Sequence, residues 1–169
     1  YLETRKFSFL VEMLYNSKIF YEIEYFLEDC KLEYNQYVLF AYKELKNSHP
    51  DIKAVIQSLI DESTHELKEN EKSLIKYYSC EDNFKKIMVG QEGGNVKFNH
   101  KAMLLYKYQD VWLEFVFNCL KKFLEINNIK VKEEFNDIMT FTKCKFDGVL
   151  DRNRTNIPIS NSFNYDVIN

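Results

Sequence analysis

Glycine and proline are scarce in this chain of 169 residues, which has four of the first and two of the second. An all-β protein needs a turn every ~8–12 residues and fills many of them with these two types. Asn and Asp can serve at some turns, but helices joined by Asn- and Ser-containing loops suit this composition better. No apolar run approaches the ~18 residues that cross a bilayer, so no spanning helix and no membrane partner is expected. No basic stretch followed by an apolar one opens the sequence, so no signal peptide is read. The first residue is Tyr1 rather than Met, which makes a segment of a longer protein, or a chain with a disordered start, the expectation.

Cysteine pairs are also missing. Cys30, Cys80, Cys119 and Cys144 form no C-x-x-C motif and are widely spaced. Buried thiols in a reducing cytoplasm are expected, rather than a disulfide frame or a zinc cluster. Charge of one sign is lacking too. The formal net charge is −3, and the paired lysines Lys85-Lys86 and Lys121-Lys122 are interleaved with acids. Nucleic-acid binders carry a basic stripe or patch, so no nucleic-acid partner is expected. The charges read as solvated helix faces.

What the chain does have is apolar and aromatic mass. Hydrophobic residues make up 46 %, with 14 Phe and 12 Tyr but one Trp. That is enough for a real core, and the length fits one domain or a main domain with a small appendage. Phe7, Leu10, Val11 and Leu14 follow the helical template i, i+3, i+4, i+7 and predict a helix over 3–15. Asn16 ends it, and Ser17 can cap a second helix that carries Phe20, Ile23, Phe26 and Leu27. A third is expected over 35–46 with Val38, Tyr42 and Leu45 inside. Pro50 and Asp51 open a fourth with the stripe Ile52, Val55, Ile56, Leu59 and Ile60. From 61 to 72 the residues are nearly all polar. The helix either projects into solvent there or stops and restarts before Leu74, Ile75 and Tyr78.

The run Gly90-Gln91-Glu92-Gly93-Gly94-Asn95 holds three of the four glycines. It reads as an internal boundary or a mobile loop. The chain thus divides into an N-terminal helical lobe (1–89), a Gly-rich connection (90–97) and a second half (98–169), within one domain overall. A long helix over 100–126 would bury Trp112, Phe115, Val116, Cys119, Leu120, Phe123 and Leu124. Phe135, Ile138, Met139 and Thr142 mark one more. Residues 144–150 and 157–168 are richer in Phe, Val, Ile and Tyr and flank a polar stretch, so they predict a β-hairpin. The expected fold is mainly α, a multi-helix bundle with a small C-terminal β-hairpin.

No complete catalytic motif is present. Glu62-x-x-His65 would share a helix face near Asp61, Glu66 and Glu69, but a di-metal bundle needs two such motifs. His49 and His100 have no Glu three residues before them. The pair reads as a charged helix face, and a helix-bundle metalloprotein stays the minor reading. The Gly90 run lacks the G-x-x-x-x-G-K-S/T pattern and carries Glu92, which repels phosphate. There is no nucleophile elbow. Glu133-Glu134 are helix neighbours that do not face each other. Tyr15, Tyr21, Tyr25, Tyr34, Tyr37 and Tyr42 crowd the first third, either as core edge or as a surface for another protein. No catalytic, cofactor or metal residue is assigned.

Three patches carry a resemblance. Tyr15-Asn16-Ser17 ends the first amphipathic helix, Leu104-Leu105-Tyr106-Lys107-Tyr108 lies mid-chain, and Phe163-Asn164-Tyr165-Asp166-Val167 lies near the end. In order and spacing the chain resembles the helical C-terminal domain, of no assigned activity, that follows the catalytic core of certain cobalamin-binding radical-SAM proteins. The middle patch departs by lacking an acid and standing one residue out of register. The resemblance implies a parent enzyme whose barrel holds a 4Fe–4S cluster on C-x-x-x-C-x-x-C and cleaves S-adenosylmethionine, with cobalamin on a further domain. This chain has no such motif, so no cofactor residue carries over. It implies a non-catalytic accessory domain that packs on the catalytic domain of the same polypeptide or aids substrate recruitment. The alternative is a stand-alone helical interaction or regulatory protein.

Overall fold

Leu2–Val11 forms α1, and Glu12–Asn16 continues it as one wider, π-helical turn. The computed structural model describes residues 1–92, 94–130, 133–150 and 163–164. Phe9, Leu10, Met13 and Leu14 make the buried face of this first rod, while Phe7 and Val11 are half-buried. Ser17 does not cap the next helix. Its hydroxyl turns back to the Glu12 carbonyl at 2.5 Å, within the wider turn. Helix α2 starts later, at Tyr21–Asp29, with no side-chain cap, and buries Ile23, Phe26 and Leu27. It ends with Lys31 at φ 59, where the Leu32 N–H bonds the Leu27 carbonyl.

Helix α3, Tyr34–Glu44, buries Tyr34, Tyr37, Val38 and Ala41, whereas Tyr42 and Leu45 are half-buried. Helix α4, Pro50–Glu66, begins at the proline as expected, and the His49 side chain accepts from the Asp51 N–H at 3.3 Å. Its stripe of Ile52, Val55, Leu59 and Ile60 is buried. The helix stops at Leu67, and Asn70 with Ser73 forms a capping box that opens α5, Glu71–Tyr78. Helix α6, Glu81–Met88, follows.

Gly90 is a helix cap. At φ +74 it lets its own N–H reach the Ile87 carbonyl and the Gln91 N–H reach Lys86 at 2.8 Å, which closes α6. Gly90→Ala puts a Cβ in open space but in the left-handed region. It is expected to cost about 1–2 kcal/mol locally, seen as faster amide hydrogen exchange across α6; unchanged exchange there would contradict the cap.

Helix α7, Val96–Ala102, continues through a second π-helical turn, Met103–Lys107. The single helix expected over 100–126 is therefore two. Tyr108, at φ −120 and ψ 30, separates α7 from α8, Gln109–Ile126. The expected face of α8 is buried in full, with Leu113 and Phe117 added. Asn128, at φ 59, ends it.

Helix α9 runs Glu133–Leu150, so 144–150 is helix and not a strand. Phe135, Ile138, Thr142 and Phe146 keep helical spacing, and Phe146 packs on Phe20 at 5.6 Å between ring centres. That contact outweighs local β propensity. The second arm expected at 157–168 lies outside the described residues apart from Phe163 and Asn164. No strand occurs among the described residues, and none of their helices is long and apolar enough to cross a membrane.

Helix α8 packs on α3, α1 on α4, α4 on α7, and α2 on α9. The core is continuous across residues 90–97, joining Phe9, Tyr37 and Leu59 to Leu104, Trp112 and Leu120. Tyr37 ties α3 to α8 through its hydroxyl, which donates to the Val116 carbonyl at 2.9 Å. Tyr34 donates to the Leu14 carbonyl at 2.7 Å, inside the first wider turn. Lys101 ties α7 to the first wider turn, donating to Glu12 Oε1 at 3.0 Å and Ser17 Oγ at 2.5 Å. The Lys101 ammonium holds the Glu12 carboxyl below its ordinary range.

Candidate functional site

Helices α5 and α6 contribute no buried residue at all. Both are amphipathic, and they pack against each other as a short hairpin. Leu74, Ile75 and Tyr78 on α5 and Phe84 and Met88 on α6 fall at i, i+3, i+4 spacing and remain exposed. Met88 is 70 % exposed and the adjoining Val89 68 %. A helix normally turns its apolar stripe inward; this hairpin leaves it in water. Large apolar side chains left exposed together on one hairpin are candidates for an interaction site. The surrounding lysines are spread rather than clustered, with Lys85 paired to Glu81 at 2.8 Å.

A cleft of about 500 Å³ lies between the end of α4, the base of this hairpin and α7. Tyr77 and Tyr78 reach it from α5, Gly90, Gln91, Glu92 and Gly94 from the loop, and Val96 and Asn99 from α7. Asp61, Glu62, His65, Glu66 and Lys68 form the opposite wall. Tyr77 donates to both oxygens of Glu92, at 2.9 and 3.0 Å, and that carboxylate raises the phenol pKa. Lys68 stands 3.8 Å over the Tyr77 ring, and His65 meets the edge of that ring at 6.4 Å. Glu92 also faces Lys86 at 3.8 Å, Asp61 accepts from Gln57 at 2.8 Å, and Glu66 lies 3.9 Å from Arg5.

The Glu62 and His65 pair thus lines a cleft, and Glu62 also meets a buried histidine that is not part of the cleft lining. His100 of α7 is 1 % exposed. Its Nδ1 lies 2.7 Å from the Val96 carbonyl, which can only accept, so Nδ1 carries a proton. Its Nε2 lies 3.5 Å from Glu62 Oε1 and has no hydrogen-bond partner. Sequence reasoning had no signal for this meeting, because it depends on α7 packing across α4. Among the described residues, no three His, Cys, Asp or Glu side chains converge closely enough to hold a metal ion as they stand.

The other candidates resolve into packing. The Cys119 thiol is buried beside Glu44, and burial pushes its pKa up to about 12, far from reactive. The Tyr34 and Tyr37 rings belong to the core, while Tyr15 and Tyr25 remain exposed. His49 caps α4. No protein-family model, no curated protein and no solved structure matches the chain.

Proposed function

We propose that this chain is a non-catalytic accessory domain that docks on a catalytic domain through the apolar face of the α5–α6 hairpin. The observation that carries the reading is that both helices are amphipathic yet bury nothing. Leu74, Ile75, Tyr78, Phe84, Met88 and Val89 form the centre of the contact, the type of residue that dominates interface cores. The docked partner is the radical-SAM barrel of the same polypeptide, as the family resemblance implies, and the pair works in the cytoplasm. The 4Fe–4S cluster, S-adenosylmethionine and cobalamin belong to that partner. Two of the patches behind the resemblance meet in space. Ser17 from the first and Leu105 and Tyr106 from the second line one small apolar pocket with Lys145 and Phe146. Phe163 of the third packs on Phe141 of α9 at 6.0 Å.

The test has two parts. The gene upstream of Tyr1 is read for C-x-x-x-C-x-x-C, and the region it encodes is produced separately and titrated with this chain by calorimetry. Association is expected, and Ile75→Asp/Met88→Asp is expected to weaken it at least tenfold while leaving the melting temperature unchanged, because neither residue is buried. An upstream region without the motif would remove the radical-SAM partner. Association indifferent to the two substitutions would remove the docking face. A start codon adjoining Tyr1 would instead favour the stand-alone interaction protein, using the same face on a separate partner.

A further inference from the structure

The chain carries a formal net charge of −3, yet one of its clefts is basic. The cleft measures about 490 Å³ and lies where α1, the end of α3, the 3-10 turn Leu45–Asn47 and the first turns of α4 meet. No residue of α5 or α6 lines it. Lys6, Lys43, Lys46 and Lys53 face a single carboxylate there, that of Glu3. Glu3 is already engaged, by Lys6 Nζ at 2.7 Å and by the Tyr42 hydroxyl, which donates at 2.7 Å. The ammonium groups of Lys43, Lys46 and Lys53 form no ion pair or hydrogen bond with any described residue. The Glu44 charge that Lys46 also feels is held by Lys122 at 2.9 Å. Other lysines follow the opposite pattern. Lys18, Lys85, Lys101, Lys122 and Lys145 each meet a carboxylate at 3.0 Å or less. Like charges one turn apart, as at Lys43 and Lys46, cost stability, so their grouping calls for a counter-ion. The floor of the cleft is apolar, with Tyr42, Leu45 and Ile56 half-buried in it. Tyr42 is fixed there, its ring edge-on to Phe7 at 5.2 Å and its hydroxyl on Glu3.

We propose that this cleft binds a small organic polyphosphate of the nucleoside di- or triphosphate class. The linked phosphates lie among Lys43, Lys46 and Lys53, whose ammonium groups are point-charge donors suited to phosphate oxygens. The flat ring of the ligand covers Tyr42, Leu45 and Ile56. The volume falls within the ~300–1,000 Å³ of small-molecule sites. A nucleic-acid strand or an acidic peptide would need a basic track running on beyond the cleft. Along α4 the track ends at Gln57, which donates to the carboxylate of Asp61 at 2.8 Å, and Glu62 and Glu66 follow. A compact anion with an apolar part is what the walls and floor fit together. The competing account is a set of solvated lysines with a diffuse ion atmosphere, and it gives no role to the floor.

The test is a calorimetric titration of this chain with adenosine triphosphate and, separately, with inorganic tripolyphosphate. Saturable one-to-one binding of adenosine triphosphate is expected. Tripolyphosphate should bind about tenfold more weakly, because it leaves the apolar floor uncovered. Lys46→Ala/Lys53→Ala is expected to weaken binding of adenosine triphosphate by about tenfold or more. Both lysines are exposed and unpaired, so the melting temperature of the ligand-free chain should not fall. Lys85→Ala/Lys86→Ala removes the same charge from α6 and is expected to leave binding unchanged. Absence of saturable binding, tripolyphosphate binding as tight as that of adenosine triphosphate, or an equal loss in the two double variants would overturn the proposal. None of these outcomes depends on the docking partner.

Discussion

Lys145→Ala is expected to destabilise the protein by about 3–5 kcal/mol, the range for removing one partner of a buried ion pair. Glu22 on α2 is 1 % exposed. Its Oε2 accepts from Lys145 Nζ at 2.7 Å, and its Oε1 accepts from the Thr142 hydroxyl. Lys145 also donates to the Ile19 carbonyl and lies 4.4 Å over the Tyr21 ring. Burial pushes the lysine pKa below its ordinary value, and the Glu22 charge pulls it back part of the way. Truncating the lysine leaves a carboxylate sealed between α2 and α9 with no countercharge. The double variant Glu22→Leu/Lys145→Met should recover most of the loss, because an apolar pair of similar volume carries no desolvation cost. Urea unfolding of the wild type and the two variants measures both effects. A loss below about 1 kcal/mol for Lys145→Ala would mean that water reaches Glu22.

Stability is also expected to fall steeply in alkali. Burial raises the Tyr37 phenol well above its ordinary value, raises Tyr34, and pushes Cys119 up to about 12. In the unfolded chain these groups titrate near ~10 for the phenols and ~8.5 for the thiol. The folded state therefore keeps protons that the unfolded state gives up. Their contribution is fully present below the unfolded values and is lost as pH rises towards the folded ones. With three groups the slope above about pH 10 is roughly 4 kcal/mol per pH unit. Lys145 works the other way, since its lowered pKa favours the folded state between its folded value and about 10.4. One group does not cancel three. Urea unfolding at successive pH values, with tyrosinate absorbance as a second probe, should show the loss together with global unfolding. Tyr37→Phe should lessen the slope by about one group's share. A flat profile to pH ~11 would contradict the burial of these rings.

Helix α4 was the most legible part of the sequence. Pro50 and Asp51 mark its start, and Ile52, Val55, Leu59 and Ile60 keep strict helical spacing into the core. The face of α8 was as plain, because Trp112, Val116, Leu120 and Phe123 recur without a break. The separation of α7 from α8 was not legible. Tyr108 is no helix breaker by type, and a π-helical turn adds a residue without any glycine or proline to announce it. The same kind of turn at Glu12–Asn16 took Ser17 away from capping, and the buried face of the first rod is Phe9, Leu10, Met13 and Leu14.

Local propensity misled at 144–150, where Phe146 on Phe20 and Lys145 on Glu22 hold the chain helical. Gly90 looked like a domain boundary and serves as a cap, since a positive φ is needed in either case. The candidate sites depend on contacts between elements far apart in sequence. Glu62 and His65 were visible as one helix face, but His100 meets Glu62 only through the packing of α7 on α4. The amphipathic character of α5 and α6 was readable from Leu74, Ile75, Tyr78, Phe84 and Met88. That their stripe faces outward was not, because the apolar pattern of a docking helix and of a core helix is the same.

The central claim is that the α5–α6 face is covered by a catalytic domain. Amide hydrogen exchange, compared between this chain alone and the same residues within the complete protein, tests it most directly. The account predicts that Glu71–Tyr78 and Glu81–Met88 exchange rapidly in the isolated chain and become protected at least tenfold in the complete protein, while α3 and α8 are slow in both. Equal exchange of the hairpin in the two settings would contradict it.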